Sequence, residues 1–180
     1  MRKEMRLPKL FMCLDVESIG LHGEGFAFGY VIIEDGKEID SAHRSCHPDK
    51  AEGNESGRKW VDVNVPIPKY LEDSPEDVRL SFWSAWKYWK EKGAILFADC
   101  GWPVEARFLN QCVEDNLEVR EWQGPYPLHD IATFRMALGF DPLGTYPRIK
   151  GETPAHNPLA DARQSARLLM ECFKGRGNSK

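Results

Sequence analysis

The sequence predicts an α/β domain built on a mixed five-stranded sheet flanked by helices. Three observations carry that expectation. A continuous apolar run at residues 10–16 breaks into acids, as a buried central strand does at its end. Two further strand-like runs follow, separated by Asp35-Gly36, the signal of a tight hairpin. From Ser74 onward, apolar residues at helical spacing alternate with short apolar runs. Neighbouring strands joined by a tight turn are antiparallel, whereas strands joined through a helix are parallel, so three antiparallel strands are followed by parallel ones.

The elements follow in order. The first strand holds Leu10-Phe11-Met12-Cys13-Leu14; the second and third cover residues 25–33 and 38–46. Between residues 47 and 76 Gly, Pro, Asn and charge dominate, which predicts an irregular insert of the kind that serves as a lid or binding loop. Ser74 then caps a helix with Pro75 at its first position, and Val78, Phe82, Ala85, Trp86 and Trp89 form its apolar face until Gly93 stops it. A short strand at 94–98 leads through Trp102-Pro103 into a helix carrying Val104, Phe108, Leu109 and Cys112. An extended segment near 128–130 precedes a helix at 131–138. Asn157-Pro158 opens the last helix, striped by Leu159, Ala162, Ala166, Leu169 and Phe173. The chain is expected to be one domain over 1–180, with its core at about 10–173 and a frayed tail at 175–180.

Composition narrows the function. Of the 180 residues 42% are hydrophobic, enough to close a core without disulfides. The net charge of −4 argues against a broad basic footprint, so a polyanionic partner would need bound cations to attract it. The five cysteines are scattered without CxxC spacing, which excludes a zinc ribbon or disulfide framework and fits reduced thiols in the cytoplasm. No apolar stretch approaches the ~20 residues that span a bilayer, so no membrane association is expected.

Three clusters carry chemistry. In Asp15-Val16-Glu17 the acids stand two apart on a strand, so both carboxylates project from one face at the end of a run that otherwise reads as core. Solvation at a strand end is the plain alternative; if buried, the pair calls for a hard divalent cation such as Mg²⁺ or Mn²⁺. In His156-Asn157-Pro158-Leu159-Ala160-Asp161, the helix cap and Pro set Asp161 at the end of the first turn, heading a largely apolar stripe. A helix N-terminus favours a carboxylate in any case. His156, just outside, suits a base that deprotonates water near neutral pH. Finally, Asp99 ends a short strand and Glu105 lies early in the next helix, where ligands of α/β sheets gather.

Together these motifs resemble the DEDDh family of 3′→5′ exonucleases, which includes proofreading subunits, ribonuclease T and oligoribonuclease. The resemblance spans roughly residues 10–173 and is closest in Leu14-Asp15-Val16-Glu17-Ser18-Ile19-Gly20 and His156-Asn157-Pro158-Leu159-Ala160-Asp161-Ala162. The middle motif departs from the pattern: Val104-Glu105-Ala106-Arg107-Phe108-Leu109 has glutamate where the family has aspartate. Matching Phe108-Leu109 favours Glu105 and matching residue type favours Asp99; both stand as candidates.

The resemblance implies a ribonuclease H-like fold and two-metal phosphodiester hydrolysis at single-stranded 3′ ends, RNA before DNA, with two Mg²⁺ or Mn²⁺ ions. Asp15 would serve both ions, Glu17 and Asp161 the nucleophile side, Asp99 or Glu105 the other, and His156 would take the proton of water. Leu21, His22 and Phe26, following the Asp-x-Glu strand, are candidates to wedge beside the terminal base. Lys50, Arg58, Lys59 and Trp60 of the insert are candidates to guide the strand, and Arg148 and Lys150 to meet phosphate. The Trp-bearing helix face permits a homodimer. The altered middle motif leaves one alternative, a nucleic-acid-binding or scaffold protein on the same fold that has lost activity.

Overall fold

The computed structural model describes residues 7–66, 69–142 and 144–174. The strands are β1 (Leu10–Ser18), β2 (Gly25–Glu34), β3 (Lys37–Ser45), β4 (Ile95–Ala98) and β5 (His129–Asp130). The helices are α1 (Glu55–Asn64), α2 (Pro75–Glu91), α3 (Val104–Glu114), α4 (Leu117–Arg120), α5 (Ile131–Ala137) and α6 (Pro158–Lys174). The five strands form one sheet in the order β3-β2-β1-β4-β5. β1 pairs antiparallel with β2, and β2 with β3, while β4 joins β1 and β5 joins β4 in parallel. This is the mixed five-stranded sheet that the sequence predicts, three antiparallel strands followed by parallel ones. The tail expected at 175–180 lies outside the described residues.

Alternation along β1 divides the core in two. Met12, Leu14 and Val16 face a layer built from α2 and α3, including Phe82, Trp86 and Phe108. Phe11 and Cys13 face α5 and α6, where Ile131, Ala162, Ala166 and Leu169 pack. Asp15 and Glu17 continue that second face, so the apolar surface becomes acidic where α6 begins.

Ser74 caps α2 as expected, its hydroxyl accepting from Asp77 N at 3.1 Å. Trp83, Trp86 and Trp89 are all buried, so the face that would permit self-association is covered within the chain itself. Arg79, also buried, ties three parts together. Its guanidinium donates to both oxygens of Asp115 at the end of α3, at 2.7 and 2.9 Å, and to Glu24 before β2 at 2.7 Å. Such fully paired, bidentate geometry offsets the cost of burying the charge.

The irregular insert expected over 47–76 is corrected in part. A 3₁₀ turn occupies Pro48–Lys50 and α1 occupies Glu55–Asn64, capped by Asn54, which accepts from Gly57 N at 2.7 Å. Only Gly57 and Val61 of α1 are buried, so its sequence lacks an apolar stripe. What docks it is a close approach: a Cβ on Gly57 would lie 2.8 Å from Gly20 N and 2.9 Å from the Ile19 carbonyl carbon. Residues 67 and 68 of this segment are outside the described residues.

A second glycine sets the start of α6. Gly29 lies opposite Asp15 in β2, and a Cβ there would stand 2.2 Å from Leu159 N and 2.3 Å from the Pro158 carbonyl carbon. The missing side chain lets α6 begin directly over the acids of β1. Because the obstructing atoms are backbone, Gly29→Ala is expected to cost about 1–3 kcal/mol of unfolding free energy in a urea titration. A loss below about 0.5 kcal/mol, the range of an indifferent surface change, would mean that the helix start has room to shift.

Candidate active site

β1 runs through Ser18, past the point where its apolar run ends, so Asp15 and Glu17 are ladder residues rather than a solvated strand end. Asp15 stands opposite Gly29 and Glu17 opposite Ala27. Glu17 is 7% exposed. Across from them, Asn157 caps α6, its side-chain oxygen accepting from Ala160 N at 3.2 Å, which fixes Asp161 in the first turn. His156 adopts a left-handed φ of 58°, a conformation uncommon for a residue with a Cβ. Its backbone N–H donates to Asp161 Oδ2 at 2.9 Å, and its ring meets Trp60 edge-on at 4.9 Å between centroids.

Glu17, His156 and Asp161 each offer a ligand atom, and those atoms lie within 4.8 Å of one another. With Asp15, Asp99 and Glu105 they line an open cleft of about 400 Å³. Both candidates for the middle acid therefore border the cleft, in different settings. Asp99 is exposed just beyond β4. Glu105 is 7% exposed in the first turn of α3, and its Oε1 accepts from Val16 N, between the two β1 acids, at 3.4 Å.

Burial and mutual repulsion push these carboxyls up. Asp15 is raised well above the usual carboxylate range, by burial first and then by Glu17, Glu105, Asp161 and Asp99. Glu17 is pushed up to about 8 by burial, Asp161 and Glu105. Burial also raises Glu105 to about 7, against the hydrogen bonds it accepts from backbone. Asp161 is raised by burial, although Arg148 and His156 oppose the shift. The carboxylate oxygens are a donor set suited to a hard divalent cation, which would relieve this repulsion and leave the imidazole beside it uncoordinated.

One cation of the chain already enters the cleft. Arg148 donates to Asp161 Oδ1 and, at 2.7 Å, to the Glu152 carbonyl oxygen. Lys150 is exposed and is not among the cleft-lining residues. Among the insert's cations, Lys50 is bonded to the Asp73 carbonyl, Arg58 to the Pro48 and Ala51 carbonyls, and Lys59 to Glu55. Trp60 is the one of that group that reaches the site. It borders an apolar pocket of about 350 Å³ together with Gly20, Leu21 and Val104. Leu21, 66% exposed, stands between this pocket and the acidic cleft. His22 lines a neighbouring groove instead. Phe26 is corrected: it is fully buried in the core beside α2 and α3 and has no surface to offer a ligand. The contact of Trp60 with His156 and the pairing of Arg148 with Asp161 were not foreseen; the only local signal was a tryptophan and an arginine in otherwise polar segments.

No protein-family model matches the chain, and no curated protein is similar to it in sequence. Solved structures similar to it include exonucleases. Product-bound exonuclease I matches with a TM-score of 0.62 at 12% identity, over 94% of this chain and 46% of that one. A full-length 3′-exonuclease matches with a TM-score of 0.49 at 13% identity, over 93% of this chain and 61% of that one. A third is a 3′-exonuclease with 3′-end-specific recognition of a histone mRNA stem-loop, at a TM-score of 0.49 and 13% identity over 93% of this chain and 82% of that one. This chain thus spans less than half the length of exonuclease I, with which it shares the fold.

The raised carboxyls give metal-free stability a definite slope with pH. A carboxyl whose folded pKa exceeds its unfolded value binds more protons folded than unfolded. Its contribution is therefore fully present below the ordinary carboxylate range and is lost as pH rises through the folded value. For Glu105 and Glu17 those folded values are about 7 and about 8. Melting in EDTA is expected to show stability falling between about pH 4.5 and 8 from this site. Mg²⁺ or Mn²⁺ is expected to raise the melting temperature more at pH 8 than at pH 5. An equal rise at both would show that the ions do not bind these acids.

Proposed function

We propose that the chain is a metal-dependent 3′→5′ exonuclease that removes mononucleotides from single-stranded nucleic acid, RNA in preference to DNA. The observation that carries this is the meeting of Glu17 and His156 with Asp161, ligand atoms within 4.8 Å, in a cleft that also holds Asp15 and Glu105. The fold shared with exonuclease I supports it, as does the DEDDh resemblance of the two outer motifs.

Asp15, Glu17 and Asp161 would hold a divalent ion on the side of the attacking water, and Asp15 with Glu105 would hold one on the other side. Glu105 is preferred to Asp99 because it is buried and braced on the backbone of β1, and it raises Asp15 more than Asp99 does. Two bound Mg²⁺ or Mn²⁺ ions supply an activated water and charge stabilisation of the scissile phosphate. His156 accepts the proton of that water as its oxygen bonds to phosphorus. The bond from phosphorus to the 3′ oxygen of the preceding nucleotide breaks, that oxygen takes a proton, and a 5′-mononucleotide leaves. The left-handed backbone at His156 and the Trp60 edge against its ring hold the imidazole at the cleft. The terminal base occupies the apolar pocket between Leu21 and Trp60, where stacking contributes about 1–3 kcal/mol. Arg148, which donates to Asp161 in the cleft, would be placed to bind a phosphate oxygen once that carboxylate held an ion.

The five free cysteines fit a reducing, cytoplasmic setting. Among the described residues no helix is long and apolar enough to cross a membrane.

Incubation with 5′- and 3′-labelled single-stranded oligonucleotides tests the proposal. Release of labelled mononucleotide from the 3′ end, dependent on Mg²⁺ or Mn²⁺ and stopped by EDTA, is expected, and faster on RNA than on matched DNA. Internal cuts, or shortening that EDTA leaves untouched, would refute it. His156→Ala is expected to lower kcat by about 10²–10⁴-fold, the usual contribution of a positioned base.

Side by side, Glu105→Ala should abolish turnover while Asp99→Ala keeps most of it. The reverse result would move the middle ligand to Asp99.

A further inference from the structure

Beyond the acidic cleft, the surface continues into a groove that the chemistry just described does not use. Three concavities lie in a row. The apolar pocket of about 350 Å³ and the acidic cleft of about 400 Å³ share Leu21 and Val104. The cleft in turn shares Trp102 and Pro103 with a groove of about 260 Å³, lined also by His22, Arg107 and Gln111. If the terminal nucleotide occupies the pocket and the scissile phosphate lies over the acids, the chain on the 5′ side leads into this groove.

The groove is equipped for a nucleotide. Trp102 is 71% exposed, on the loop between β4 and α3, and its indole stacks on no other ring among the described residues. Arg107 is exposed on α3, and its guanidinium has no ion-pair or hydrogen-bond partner among the described residues, in a chain with a net charge of −4. The side-chain oxygen of Gln111 is buried with no hydrogen-bond partner, an arrangement that costs free energy until a donor arrives. An open aromatic face, an unpaired guanidinium and an orphaned acceptor match a base plane, a phosphate and an N–H or O–H donor of base or sugar.

We infer that this groove seats the penultimate nucleotide. Trp102 stacks on its base, Arg107 binds the phosphate on its 5′ side, and Gln111 accepts a hydrogen bond from base or sugar. Leu21 and His22, adjacent in the chain but facing the pocket and the groove respectively, then divide the terminal base from the one before it. The inference rests on the exonuclease reading for the direction of the strand.

The test compares binding of a 5′-fluorescein single-stranded pentanucleotide with binding of a 5′-mononucleotide, both in Ca²⁺ so that affinity is measured without turnover. The ratio of the two affinities is the readout. Trp102→Ala and Arg107→Gln are each expected to lower it about tenfold, the equivalent of about 1.4 kcal/mol, while Trp102→Tyr restores most of it. Arg107→Gln is also expected to flatten the salt dependence of pentanucleotide binding by roughly one counterion. An unchanged ratio in both variants would overturn the groove. If the wild-type protein shortens no 3′ end yet shows the expected change in ratio, the groove stands and the exonuclease reading fails. If it shortens 3′ ends and the ratio does not move, the reverse holds.

Discussion

Asp15, Glu17, Glu105 and Asp161 repel one another, and burial removes the water that would weaken that repulsion. At an effective dielectric of about 20, two unit charges about 4 Å apart oppose each other by about 4 kcal/mol. The N-terminus of α6 returns to Asp161 only about 0.3–1 kcal/mol, so helix capping does not account for the gathering. The carboxyls respond as crowded acids must, by holding protons well above their usual range. They stay together because none rides on a part free to relax. β1 is paired on both edges, α6 is seated on Gly29, and α3 is joined through Glu105 to the backbone of β1. A site so built relieves its own repulsion by holding protons or by taking up other positive charge.

The parts legible in the sequence are those in which local and global preferences agree. Phe11, Cys13 and the two acids alternate on one face of β1, and alternation alone places them. α2 and α6 announce themselves by capping residues and apolar stripes, and those are the helices that bury most against the sheet. α1 shows neither stripe nor core. It is recruited by contact of Gly57 with the backbone at Gly20, and a close approach between glycines leaves no periodic trace. Phe26 failed for a related reason. All of β2 from Gly25 through Ile33 is buried on both faces, so nearness to the acidic motif says nothing about which side chains reach the surface.

The two candidates for the middle acid differ in physical setting as well as in residue type. Asp99 has the expected residue type and lines the cleft from the exposed loop after β4, where burial of its carboxyl raises it and Arg135 opposes the shift. Glu105 is one methylene longer, starts a turn into α3, and is buried against Val16 N–H. Length and position compensate one another: a longer side chain on the helix reaches the same strand end.

Arg148 links this electrostatics to the overall negative charge. A guanidinium occupies Asp161 from within the cleft, neutralising part of the acidic cluster at the expense of ordering one long side chain. Being monovalent and paired to one oxygen, it cannot serve all the acids at once, whereas a divalent ion bridges several. Under the exonuclease proposal, an ion held by Asp161 would compete with Arg148 for the same carboxylate. Arg148 in the cleft and Arg107 in the groove beside it are cations positioned at the acidic site of a chain whose net charge is −4.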